Sequence, residues 1–200
     1  VFENDGAVHL CGPFRLGKEQ TQARFSLMVN SGGFILFAVF MAVAAAEFVR
    51  PRRALLNARL HRWTTHALFF LSNAATGRLL AFLIAIPVAA QWSEAEGFGL
   101  LHQLSSPAWA ELLTAFILLD FAVWLQHLAM HKIPLLWRMH KVHHVDRDLD
   151  VTTALRFHPF ELVVSTLYKS AWVALLGVPV AVALAFEIWL NANALFNHGN

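Results

Sequence analysis

The stretch HLAMHKIPLLWRMHKVHH, residues 127–144, holds five of the chain's eleven histidines. Even scatter over 200 residues would put about one there. His127 and His131 are four apart, so a helix sets them one turn apart on one face. His140, His143 and His144 are spaced by three and four, which again allows one face. Pro134 disfavours helix at the residue before it, so a bend separates the groups. The spacing predicts two imidazole-bearing helices meeting at a membrane surface.

The membrane enters through what surrounds the cluster. Hydrophobic residues make up 58% of the chain and charged residues 14%, against roughly 25% charged in ordinary globular domains. A formal charge of +2 is too small to suggest nucleic acid. Apolar runs lie at 32–49, within 66–90, at 108–131 and over 161–196. The first is close to the ~20 residues needed to cross the hydrocarbon core. The last is too long for one simple span and is punctuated by Gly177 and Pro179, so it reads as a helical hairpin or kinked pair. Arg78 interrupts the second run; a charge there either faces the protein interior or marks a shift of the span. The expectation is an all-α integral membrane helical bundle with about four transmembrane helices or hairpins.

Residues 50–62 carry five arginines and no acid, and 132–156 is also basic, whereas 91–107 has two acids and no Lys or Arg. The excess of Lys and Arg puts both basic segments, and with them the histidine cluster, on the cytoplasmic side. Residues 1–31 form an N-terminal polar or interfacial segment, and 32–200 the membrane domain. Cys11 is the only cysteine, which excludes an internal disulfide or a cysteine zinc site. No secretory signal pattern is visible.

Neutral imidazole is the commonest metal ligand and suits iron, zinc and copper. Structural zinc is satisfied by four ligands. Five clustered histidines, with His158 and His198 further on, exceed that need and favour a two-metal centre. Asp120 lies seven residues before His127, two turns up the same face. An acid inside an apolar span is a functional candidate; it either fixes the tautomer of a ligand imidazole or pairs with a cation such as Arg78. His9, His61, His66 and His102 stand alone and read as ordinary, satisfied core histidines.

The order His-x3-His, His-x2-His-His, Arg156-Phe157-His158-Pro159-Phe160-Glu161 and Asn197-His198-Gly199-Asn200 resembles the fatty acid hydroxylase and sterol desaturase superfamily, strongly over residues 108–200. The resemblance implies an integral membrane, non-haem di-iron oxygenase. Such an enzyme uses O2 and two electrons from a separate reductase or cytochrome-type donor to hydroxylate or desaturate a lipid C–H bond. Carried over by position, the metal ligands are His127, His131, His140, His143, His144 and His198. His158 is structural or substrate-facing, and Arg156 and Glu161 pair across the turn at Pro159. Leu128 and Val145 replace the Arg and Ser common in the family. A third His-x2-His-His box is expected after Asn200, so the domain is incomplete at its C-terminus. The short loops suggest a bacterial inner membrane. The competing readings are a membrane metal binder or transporter, and a scaffold of the same fold without chemistry.

Overall fold

The computed structural model describes residues 18–83, 86–104 and 106–200. Residues 1–17, with Cys11, His9 and most of the N-terminal segment, lie outside that set. Every regular element among the described residues is helical: α1 (Lys18–Val49), α2 (Arg59–Leu83), α3 (Ile86–Glu96), α4 (Ala108–Lys132), α5 (Pro134–His144), α6 (Pro159–Leu176) and α7 (Val180–Asn197), with short 3₁₀ turns at Leu101–Gln103 and Val151–Leu155.

Among the described residues, three helical stretches are long and apolar enough to cross a membrane, Ser26–Val49, Ala108–Lys132 and Val180–Asn197. They turn many large apolar side chains outward, among them Phe34, Phe37, Leu113, Ile117 and Trp189. In water such a surface would be an aggregation hazard; against lipid tails it is the favoured state. Helix α2, which carries most of the second apolar run, is diluted by Arg62, His66, Asn73 and Arg78 and is not among these three. The run is also longer than expected, since α2 starts at Arg59 and α3 continues to Glu96. Arg78 is exposed, and no described carboxylate lies within ion-pair distance of it. Of the two readings of Arg78, the interior placement is not what the fold shows.

The hairpin expected at Gly177 and Pro179 is present. Gly177 ends α6 in the left-handed conformation, φ 71°, and its N–H donates back to Val173 O at 3.0 Å. This is the glycine-terminated helix end in which only a residue without Cβ sits comfortably. A Cβ on Gly177 would lie 2.7 Å from the His102 ring, and one on Gly99 (φ 118°) would collide with the Gly177 backbone. Two backbones therefore cross here with no room for a side chain. Pro179 then precedes α7.

Helix α7 packs along α1, α6 along α3 and α4, and α2 along α6. One apolar core joins α3, α4, α6 and α7 through Ile86, Ala90, Ala115, Leu119, Val173 and Phe186. A smaller one sets Val151, Ala154 and Leu195 against α1. The two basic segments meet: Arg62 at the start of α2 reaches Asp146 and Asp150 behind α5. The histidine-bearing end of the bundle is thus opposite the Gly99–Gly177 crossing.

Candidate metal centre

Helix α4 ends at Lys132, Ile133 takes an extended conformation (φ −91°, ψ 117°), and Pro134 opens α5. Proline suits the first helical position because its missing N–H would have no partner there. The bend folds α5 back on α4 and brings the two histidine pairs together. One nitrogen from each of His127, His131, His140 and His144 falls within 4.8 Å of the others. The Nε2 atoms of His127 and His131 are 3.1 Å apart, and those of His140 and His144 are 3.0 Å apart.

His143 points elsewhere. Its Nε2 lies 2.7 Å from Nε2 of His198, which caps α7. Nδ1 of His143 is 3.3 Å from the Arg156 carbonyl, and Nδ1 of His198 is 2.6 Å from the Ala194 carbonyl. A carbonyl only accepts, so both rings carry their proton on Nδ1. Both Nε2 atoms then present lone pairs to each other, and two lone pairs at that distance repel unless a cation lies between or beside them. With metal–nitrogen bonds of about 2.0–2.1 Å, two ligand nitrogens lie about 2.8–3.0 Å apart at a right angle and about 3.3–3.4 Å apart at the tetrahedral angle. The observed 2.7, 3.0 and 3.1 Å lie close to the right-angle spacing. The donor set therefore suits divalent cations, and its split into a four-imidazole group and a two-imidazole group suits more than one.

Around these rings lies a layer of groups that hold them. Glu161 sits in the first turn of α6, and its Oε1 is 2.7 Å from Nδ1 of His140. Both side chains are nearly excluded from solvent, at 3% and 8% exposure. A carboxylate on Nδ1 fixes the tautomer and aims Nε2 inward. Phe157 stacks on His143, ring centroids 4.6 Å apart and planes within 9°. Burial first, and then the neighbouring imidazoles of His198, His144 and His140, push the His143 pKa from 6.5 down to about 3. His143 is therefore neutral, as a ligand imidazole must be.

Several expected roles fall to other residues. Asp120 is exposed, with no hydrogen bond to an imidazole and no ion pair with Arg78 among the described residues; Glu161 occupies the position foreseen for it. Arg156 and Glu161 do not pair. Glu161 is taken by His140, while Arg156 lies 3.7 Å from Asp146. His158 caps α6, its Nδ1 accepting from Phe160 N at 3.2 Å, which is the structural alternative. His66, read as an ordinary residue, is a buried one whose Nδ1 meets Thr152 Oγ1 at 2.7 Å.

Two features had no sequence signal strong enough to single them out. Glu47, buried near the end of α1, accepts from Val151 N at 2.8 Å and from Asn200 N at 2.7 Å. It thereby ties the segment carrying His198 to the turn following the cluster. Arg62 holds Asp146, Asp150 and the Asp148 carbonyl at once, at 3.0, 2.7 and 2.7 Å. Burial alone would raise the Asp146 and Asp150 pKa values, but the Arg62 guanidinium and, for Asp150, Thr152 keep both below the ordinary carboxylate value. Asp148 is lowered chiefly by the Leu56 N–H, with Asn57 adding to it.

Comparison with known proteins agrees with this geometry. Residues 112–200 match the family model described as fatty acid hydroxylase. Alkylglycerol monooxygenase of Homo sapiens is 27% identical over 92 residues, covering 43% of this chain and 20% of that protein. The chain thus spans about a fifth of the length of that relative. No solved structure matches. The two matches support placing the 112–200 segment in the fatty acid hydroxylase superfamily.

Proposed function

We propose that this chain is a membrane-bound, non-haem di-iron oxygenase that hydroxylates or desaturates a lipid C–H bond with O2 and two electrons. The observation that carries the reading is the convergence of Nε2 atoms at 2.7–3.1 Å in two adjoining groups. The family match and the lipid-facing helices support it. Bound iron would supply the activation of O2 and the oxidation of the C–H bond.

The chain's own residues would do the following. His127, His131, His140 and His144 hold one part of the centre, and His143 with His198 holds another. Glu161 keeps His140 in the Nδ1–H tautomer, the Arg156 carbonyl does the same for His143, and the stacked Phe157 ring holds the plane of His143. Histidine ligation leaves the metal charge less neutralised than carboxylate bridging would. The substrate is a lipid that reaches the centre from the bilayer beside α4. The relative's name makes an alkylglycerol ether the first lipid to try. The histidine end would face the cytoplasm, on the positive-inside count, in a bacterial inner membrane, and the electrons would come from a separate donor.

The test is the iron content of the detergent-purified protein after anaerobic loading, followed by O2-dependent turnover of a lipid panel. About two irons per chain, with iron and turnover lost in His143→Ala and unchanged in His61→Ala, is the expected result. Full turnover in His143→Ala would overturn the reading. Absence of iron would return the protein to the scaffold alternative.

A further inference from the structure

The centre described above must be refilled with electrons, and one side of it carries an aromatic ring with no part in ligation. Trp137 lies on α5, one turn before His140. Its ring centroid is 5.2 Å from that of His131, 5.8 Å from His144 and 6.3 Å from His140. It is also 37% exposed. A single indole thus touches solvent and three candidate ligands.

The charges around it have one sign. Arg138 and Lys141 are exposed on the same helix, Lys141 one turn beyond Trp137. Lys132 at the end of α4 and Arg147 after α5 are exposed too. Among the described residues, none of these four lies within ion-pair distance of a carboxylate. The acids of the same region are all turned inward. Asp146 and Asp150 are held by Arg62, Asp148 by the Leu56 and Asn57 N–H groups, and Glu161 by His140. The segment is basic in sequence, and its surface is more so: its anions are buried, and Lys132, Arg138, Lys141 and Arg147 are free.

We propose that this face is where an acidic one-electron carrier protein docks, and that Trp137 is the bridge its electrons cross to the centre. The inference rests on the oxygenase reading above. Like-signed surface charge around a contact point steers an oppositely charged partner and fixes its orientation. Electron transfer weakens steeply with distance, and an aromatic ring packed on ligand imidazoles shortens the gap between a docked carrier and the metal. For hydroxylation, one C–H bond, one O2, two electrons and two solvent protons give one C–OH and one water. Each turnover therefore oxidises two carriers by one electron each, and Trp137 is unchanged at the end.

The probe is a plant-type ferredoxin, acidic and one-electron, mixed with the full-length protein in nanodiscs of uncharged lipid. Binding is measured with and without iron, and electron transfer by the return of the oxidised ferredoxin's visible absorbance. Arg138→Glu with Lys141→Glu is expected to weaken binding more than tenfold and to flatten its salt dependence, with iron content unchanged. Trp137→Leu is expected to leave binding intact while slowing ferredoxin oxidation more than tenfold, and Trp137→Phe to restore most of that rate. Binding unaffected by the charge reversal would overturn the docking face. An oxidation rate unaffected by Trp137→Leu would overturn the bridge and leave Trp137 as an interfacial anchor. If the protein takes up no iron, the oxygenase reading fails, and the iron-free titration still decides whether the face binds.

Discussion

Helix α4 separates two ends of the bundle by roughly 37 Å, the length of a 25-residue helix. At the Gly99 and Gly177 end, backbones touch, the neighbours are Ile86, Leu101, Val173 and Val178, and fit depends on the absence of side chains. At the histidine end, five carboxylates (Glu47, Asp146, Asp148, Asp150 and Glu161) and two arginines lie behind the imidazoles, of which His66, His140 and His143 are buried and His127, His131 and His144 exposed. Fit there depends on charge and hydrogen-bond partners. The first end is held by shape and should be indifferent to pH and metal. The second is held by electrostatics and should answer to both.

The comparison can be broken most forcefully at Arg62. Arg62→Met would strand Asp146 and Asp150, both 5% exposed. Loss of one partner from a buried ion pair costs about 3–5 kcal/mol, so a large fall in thermal midpoint in detergent is expected, with loss of metal. A midpoint within a degree or two of wild type would mean the histidine end does not depend on this clasp. At the other end, Gly177→Ala forces a Cβ into a left-handed position against His102. Strain of that kind costs about 1–3 kcal/mol, read as a lower midpoint with metal content unchanged.

Acid sharpens the contrast. Asp146, Asp148 and Asp150 have folded pKa values below their ordinary value. Their contribution is present above the unfolded carboxylate range, about pH 4, and is lost as pH falls through the folded values. His143 has a folded pKa of about 3 against 6.5. The unfolded chain therefore binds the extra proton between those values, and stability falls as pH drops from about 6.5. Both trends run the same way, so metal-free protein should lose stability steadily on acidification. Asp146→Asn should flatten the lower part of that profile, and Gly177→Ala should lower the whole curve without changing its slope. Parallel curves for all three proteins would show that acid acts elsewhere. The smallest effect is expected at Asp120. It is exposed and without a described partner, so Asp120→Asn should change stability by less than about 0.5 kcal/mol and leave iron binding intact.

The sequence made the helices, the hairpin at Gly177 and the histidine cluster legible, because each has a local signal: hydropathy over a span, a breaker pair, or spacing on a face. The support around the histidines had no such signal. Asp120 and Glu161 are both acids near the cluster, and helical phase pointed to Asp120. The choice is made by the packing of α6 against α5, which sets Glu161 beside His140, while Asp120 lies on an exposed face of α4. Arg156 and Glu161, five residues apart, invited a local pair, but Arg156 lies beside Asp146, ten residues back, and Glu161 is taken by His140, 21 residues back. Glu47 was hidden in an apolar run, and its two contacts are 104 and 153 residues away. Long-range hydrogen bonding decides such positions, and one chain read in order does not contain it.

The crossing of Gly99 and Gly177 has a consequence for how mutational scans of this protein will read. Every single-base change in a glycine codon that alters the residue adds at least a Cβ or stops the chain. At these two sites even alanine meets backbone or ring. In a growth-coupled library both positions should be depleted at nearly every codon, as His140 and His143 should be. Intolerance alone will then draw two hot zones about 37 Å apart along α4, and only one of them will concern chemistry. Scoring the library twice, for protein abundance and for turnover, separates them: the glycines should lose turnover only in proportion to abundance, and the histidines far beyond it.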